Sequence, residues 1–171
     1  MIARSFHRAA GALLAGWLGA MLLLASGAEA QDKKKDLELD KIPKAVMDAL
    51  KSRFPKAEIQ KWTKAKEGDD IVYDIEFIEK GRKGEADIKE NGVYINFERE
   101  IAAKDLPKAV REAIEKRYPK CTLKDVMEET EVMGKNEKLS AYEVTLVTAD
   151  KKDVELRLSP DGKILEDTGA K

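Results

Sequence analysis

Histidine is almost missing from this chain. The single copy, His7, lies in an N-terminal stretch whose pattern marks it for removal. Without an imidazole base, Ser-His-Asp and Cys-His nucleophile activation are excluded, and most zinc and transition-metal sites lose their usual ligand. Cysteine is equally scarce: Cys121 stands alone, which excludes an internal disulfide and any Cys-rich metal site. Aromatic residues make up only 6%, with Trp17 and Trp62 the two tryptophans. Nor is there an excess of either charge, since 32 Lys and Arg meet 33 Asp and Glu for a formal charge of −1. A nucleic-acid binder would carry a basic excess or stripe, so nucleic acid is not an expected partner. No phosphate-binding glycine loop, dinucleotide fingerprint or EF-hand spacing occurs. The composition leaves carboxylate-pair hydrolysis as the one catalytic route, and acids interleaved with lysines are usually a solvated face. The chain is therefore not expected to be an enzyme, and no cofactor is expected.

What is present begins with an address. Arg4, His7 and Arg8 precede an uncharged run over residues 9–28 that contains Leu13, Leu14, Trp17, Leu18 and Leu22–Leu24. It ends in Ala28-Glu29-Ala30, an A-x-A pattern that predicts cleavage before Gln31. Residues 1–30 read as a signal peptide and 31–40 as a charged leader. The remainder is expected to be periplasmic or secreted, with no stable membrane anchor after cleavage.

The chain then repeats itself. Residues 42–59 align without a gap on 106–123, an offset of 64, with eight of eighteen positions identical. A chance match would give about one identity, so the segment reads as duplicated. The likeness continues from Tyr73-Asp74-Ile75-Glu76-Phe77 to Tyr142-Glu143-Val144-Thr145-Leu146 and from Asn91-Gly92 to Asp161-Gly162. A longer loop around Gly134 accounts for the later change in offset. The expected repeats cover residues 41–98 and 105–168, joined by a linker at 99–104.

Each repeat opens with an amphipathic helix. Ile42, Ala45, Val46, Ala49 and Leu50 follow i, i+3, i+4, i+7, i+8 spacing, and Leu106, Ala109, Val110, Ala113 and Ile114 do the same. Pro43 and Pro107 suit the first turn, whereas Pro55 and Pro119 push the residue before them out of helical geometry. Strand periodicity follows: Tyr73, Ile75 and Phe77 alternate with Asp74 and Glu76, and Val154, Leu156 and Leu158 with Glu155 and Arg157. The expected fold is α+β, two tandem repeats, each a helix packed on a four-stranded antiparallel sheet whose other face is polar and wet. Whether the eight strands join into one sheet is left open by periodicity.

The pattern L-P-x-A-V-x-x-A-I-x-x-x-Y-P at 106–119, followed by Y-E-V-x-L at 142–146 and D-G-x-I at 161–164, resembles the PepSY-like, beta-lactamase-inhibitor-like family. Residues 42–55, 73–77 and 91–95 carry a weaker copy, so the resemblance spans essentially the whole exported chain. It implies helices against an antiparallel sheet and a non-catalytic binding role outside the cytoplasm. It brings no catalytic residues with it, and it points to an inhibitor or modulator of an envelope or secreted enzyme.

The open sheet face is the expected working surface. Its candidate partner-binding residues are Asp74, Glu76, Asp87 and Lys89 in the first repeat, with Glu143, Thr145, Glu155 and Arg157 in the second. Trp62, expected to be a strand residue packed at the sheet edge, is added as a candidate anchor. Alternating charge favours specificity and steering, and the expected partner is another exported protein. The alternative is an envelope receptor that uses the same carboxylates to take a small ligand or cation. Glu128, Glu129 and Glu131 are expected to form a solvated strand face, and Cys121 a packed thiol at the position of Ala57.

Overall fold

The computed structural model describes residues 37–170. The signal segment and most of the charged leader, expected at 1–40, lie outside the described residues. Two ten-residue helices, α1 (Lys44–Arg53) and α2 (Lys108–Arg117), each precede four strands. These are β1 (Glu58–Glu67), β2 (Asp70–Glu79), β3 (Arg82–Lys89) and β4 (Tyr94–Glu100), then β5 (Thr122–Met133), β6 (Asn136–Val147), β7 (Asp153–Leu158) and β8 (Ile164–Asp167). All eight form one antiparallel meander in sequence order. The repeats are fused through β4 and β5, with Asn96 opposite Glu131 and Glu100 opposite Met127. Arg99 and Glu100, expected in the linker, therefore belong to the sheet.

The helices begin and end where the prolines dictate. The Pro43 and Pro107 carbonyls accept the first helical bonds from Met47 and Arg111. Phe54 and Tyr118 leave helical geometry at ψ 73° and 74°, each just before a proline. Val46 and Leu50 of α1 and Val110 and Ile114 of α2 are 0–3% exposed. Ala45 and Ala109 depart from the spacing rule: both are exposed. Their carbonyls instead meet the hairpin glycines Gly92 and Gly162, where a Cβ would come within 2.9 and 2.5 Å of the oxygen. With φ at +87° and +86°, these two sites need glycine for conformation as well as for space.

Each helix covers its own core. In the first, Ile42, Val46, Leu50 and Phe54 pack on Tyr73, Ile75, Phe77, Ala86, Ile88 and Phe97. In the second, Leu106, Val110 and Ile114 pack on Val144, Leu146, Leu156 and Leu158. The cores interlock at the seam, because Val132 of β5 joins the first and Ile101 joins the second. Arg53 at the end of α1 adds a bridge to Glu137 of β6 at 2.5 Å. On the last strand, Asp167 accepts hydrogen bonds from the Tyr118 hydroxyl and the Arg117 guanidinium. Burial alone would raise its carboxyl, and these bonds hold it below the usual carboxylate range. Cys121 is half-buried beside the second core, and burial pushes its thiol up.

Candidate functional site

The face of the sheet turned away from the helices is set by the strand period of two. Since Tyr73, Ile75, Phe77, Ala86, Ile88 and Phe97 face the helix, Asp74, Glu76, Glu85, Asp87, Asn96 and Glu98 face the other way. Cross-strand register then aligns carboxylates side by side. Lys61 stands opposite Glu76, Glu76 opposite Glu85, Glu85 opposite Glu98, and Glu98 opposite Glu129. A second row runs from Thr63 through Asp74 and Asp87 to Asn96. Like charges directly opposite on neighbouring strands destabilise a sheet, so these rows are costly to the fold.

Bases sit at both ends of the first row. The Lys61 ammonium donates to Glu76 at 2.5 Å, and this bond raises the lysine above its ordinary 10.5 despite partial desolvation. At the other end, the Arg157 guanidinium grips Glu129 with two bonds, at 2.6 and 2.8 Å. Fork-to-fork geometry of this kind makes a charge-assisted pair that is strong as well as directional. Glu129 is 3% exposed, so it is not part of a solvated face as the Glu128–Glu131 run suggests.

The middle of the face is drier than its polar pattern implies. Glu98 is 2% exposed and Asn96 8%. Glu143 is half-buried and its carboxyl is pushed up to about 9. Burial is the largest cause, followed by the charge of Glu98, the hydrogen bond and charge of Glu155, and the charge of Glu85. At neutral pH it therefore holds its proton, which lets it donate to a neighbouring carboxylate instead of repelling it. The face is therefore not uniformly wet as its polar pattern suggests, and Glu143 is not one of its solvated charges.

The other expected site residues fall as follows. Asp74, Glu76, Asp87 and Lys89 share the face in the first repeat, with Lys89 donating to Asp70 at 2.6 Å. Glu143, Thr145, Glu155 and Arg157 share it in the second, where Thr145 pairs with Glu155 and Glu143 with Arg157. Trp62 does not join them. It lies on the helix side, stacked on Tyr73 at 6.0 Å, and its indole N–H donates to the Leu37 carbonyl. The tryptophan ties the leader to the edge of the first core. Glu85, Glu98 and Glu129 are the residues that sequence reasoning missed. Their in-out alternation carried the signal, but only the register shows that they line up.

One oxygen each from Asp74, Glu85 and Asp87 lies within 4.8 Å of the others, an arrangement able to hold a cation. The Asn96 amide donates to Asp87 at 3.0 Å. On the helix side, a shallow groove of about 480 Å³ is lined by Ala49, Ser52, Arg53, Gly92 and Tyr94. None of the expected site residues lines it.

This arrangement of a duplicated helix on one antiparallel meander can be set against known proteins. The sequence matches the family described as "Putative beta-lactamase-inhibitor-like, PepSY-like" over residues 27–82 and 72–166. The chain belongs to this family. A BLIP-like protein from Bacteroides fragilis is 25% identical, covering 72% of this chain and 83% of its own, with a TM-score of 0.49. A protein from Bacteroides eggerthii described as "putative periplasmic" reaches a TM-score of 0.56 at 14% identity, covering 74% and 87%. A DUF2874 family protein from Bacteroides uniformis reaches 0.55 at 16% identity, covering 73% and 87%. The last two are similar to this chain in fold. No curated protein matches the sequence. Among the described residues, no helix is long and apolar enough to cross a membrane.

Proposed function

We propose that this PepSY-like chain is an exported, non-catalytic binding module that presents its open sheet face to another exported protein, as an inhibitor or modulator of an envelope or secreted enzyme. The observation that carries the reading is the group of four half-buried acids on adjacent strands of the open face, Asp74 opposite Asp87 and Glu76 opposite Glu85. Folding alone gives no reason to oppose so many acids, because packing and solubility are served as well by mixed charge. A surface that must meet a complementary partner gives such a reason: electrostatic pattern sets specificity and the rate of encounter. The description of a fold neighbour as periplasmic accords with the A-x-A export pattern.

The test is capture from envelope extract by the wild-type chain and by Glu76→Lys and Glu85→Lys, with Glu112→Lys on exposed α2 as control. The reading expects a bound species lost in both sheet-face variants and retained in the control, with denaturant midpoints nearly unchanged. Retention in all three would place the working surface elsewhere. The alternative, a cation receptor, is favoured by the closeness of Asp74, Glu85 and Asp87. It expects heat on calcium titration, lost in Asp87→Asn.

A further inference from the structure

Arg157 of β7 stands beside two acids of the second repeat and grips one of them. Register places Glu143 of β6 directly opposite it, and the side chains of a facing pair are the closest neighbours across a sheet. Yet its Nε and Nη2 both donate to the single carboxylate of Glu129, one strand further on in β5, at 2.6 and 2.8 Å. Glu129 stands opposite Ala141 of β6, so the guanidinium reaches it across a strand that carries only a methyl group at that point. Ala141 is accordingly fully buried, although the period puts it on the open face. Glu143 sits among acids meanwhile: Glu155 of β7 shares a hydrogen bond with it, and Glu98 of β4 and Glu85 of β3 add negative charge.

The arrangement belongs to one repeat. Met127 and Arg157 flank Glu143 as Thr63 and Asp87 flank Asp74, so Arg157 corresponds to Asp87 and Glu129 to Ala65. The second repeat has both the arginine and the acid it grips, and the first has neither. We infer that Arg157 is a two-position latch, which holds Glu129 while Glu143 carries its proton and turns to Glu143 once that proton has passed to solvent. A neutral carboxyl offers the guanidinium little, whereas Glu129 takes two charge-assisted bonds from it. An ionised Glu143 adds a half-buried anion beside three other acids, and removing its charge from water is costly unless a cation pairs with it. The remaining charged groups on the surrounding strands are turned elsewhere. Lys83 of β3 donates its ammonium to Asp125 of β5, and its backbone N–H meets Glu100 of β4. Glu166 of β8 lies 3.7 Å from Nη1 of the arginine itself. The exchange therefore falls to Arg157, and it moves one flexible side chain without displacing a strand.

Because the Glu143 carboxyl titrates at about 9, the latch rests on Glu129 at neutral pH, with about one molecule in a hundred switched at pH 7. A cation brought close to Glu143 favours the ionised form and shifts that balance, so the latch senses what meets the face as well as pH. The inference concerns the side chains of the second repeat themselves and goes beyond any choice of partner.

Carbon-detected NMR of the exported chain between pH 6 and 10.5 tests it, following Arg157 Nε and Cζ and the carboxyl carbons of Glu129 and Glu143. The Glu129 and Arg157 signals are expected to move with the same midpoint as the Glu143 carboxyl. Glu143→Gln, which fixes the neutral state, should leave both flat over that range. Glu129→Gln releases the guanidinium and should bring the Glu143 midpoint down toward the ordinary carboxylate range, whereas Glu112→Gln on α2 should leave it in place. The wild-type titration and Glu143→Gln keep the test decisive if Glu129→Gln does not fold. Glu129 and Arg157 signals that stay flat while Glu143 titrates would overturn the inference, since the arginine would then hold Glu129 throughout. So would a transition that persists in Glu143→Gln, a Glu143 midpoint unmoved by Glu129→Gln, or a Glu143 carboxyl already ionised at pH 6.

Discussion

Replacing Glu143 by glutamine should make the protein more stable, and increasingly so as pH rises. The folded carboxyl titrates near 9, whereas its ordinary value is 4.5. Between those limits the folded state keeps a proton that the unfolded chain has released. Stability changes with pH as the protons bound by the unfolded state minus those bound by the folded state, so this group's contribution falls as pH rises. It is fully present below 4.5 and lost progressively up to 9. One proton is worth about 1.4 kcal/mol per pH unit, which gives a loss of about 3 kcal/mol by pH 7 and a ceiling of about 6 kcal/mol by pH 9.

Glutamine is a neutral isostere of the protonated acid, and its amide retains a donor for Glu155. The variant should match the wild type within about 1 kcal/mol at pH 5 and exceed it by about 3 kcal/mol at pH 7. Urea melts of both proteins at pH 5, 7 and 8.5 measure this, and the difference between them cancels the titrating groups that do not interact with Glu143. Parallel stabilities across the three pH values would refute the reasoning, because they would mean that Glu143 is already ionised in the fold. A variant less stable at pH 8.5 would refute it as well.

Two further outcomes follow from the packing. Leu50→Ala and Ile114→Ala remove side chains that are 0% and 3% exposed, and each should cost about 2–5 kcal/mol in a denaturant melt; a loss below about 0.5 kcal/mol would mean that the helices do not cover the cores. Gly162→Ala puts a Cβ 2.5 Å from the Ala109 carbonyl at φ +86°, whereas Gly134→Ala, at φ +64°, meets nothing within 4 Å. Both should lose the roughly 1–3 kcal/mol of a strained backbone, and only the first should lose more, as thermal melts of the pair will show.

The elements of the fold were legible because their signals are local. Helix spacing, the prolines around each helix and the alternation of Tyr73, Ile75 and Phe77 all lie within a dozen residues. The duplication added that whatever one repeat does, the other does too. The joining of β4 to β5 was not legible, since nothing in Asn96 or Glu131 announces its partner. The same limit applied to the site. Asp74, Glu76 and Asp87 could be placed on the open face by period alone. That Glu98 is buried between Glu85 and Glu129 depends on pairings between strands distant in sequence. Trp62 packs in the edge strand as its position in the repeat suggests, and what the sequence did not announce is that the leader at Leu37 covers it. Glu143 was misread because an acid flanked by apolar strand residues looks solvated, whereas this one is half-buried and close to Glu98, Glu155 and Glu85.

The duplication also explains where change could accumulate. The helix faces of the two repeats keep matching aliphatics, Val46 with Val110 and Leu50 with Ile114, and the hairpin glycines keep matching approaches to Ala45 and Ala109. A core position answers to six or more packed neighbours, so an exchange there is felt throughout its repeat. Open-face positions answer chiefly to one or two cross-strand neighbours, each worth under about 1 kcal/mol. Asp87 and Arg157 could therefore take opposite charges on the same scaffold without disturbing either core. Fusion through β4 and β5 then places the acid-rich copy and the arginine-bearing copy on one continuous surface. One half of that surface carries half-buried acids opposite one another, and the other carries the Arg157–Glu129 ion pair. That asymmetry gives the face a direction, which a symmetric duplicate would lack.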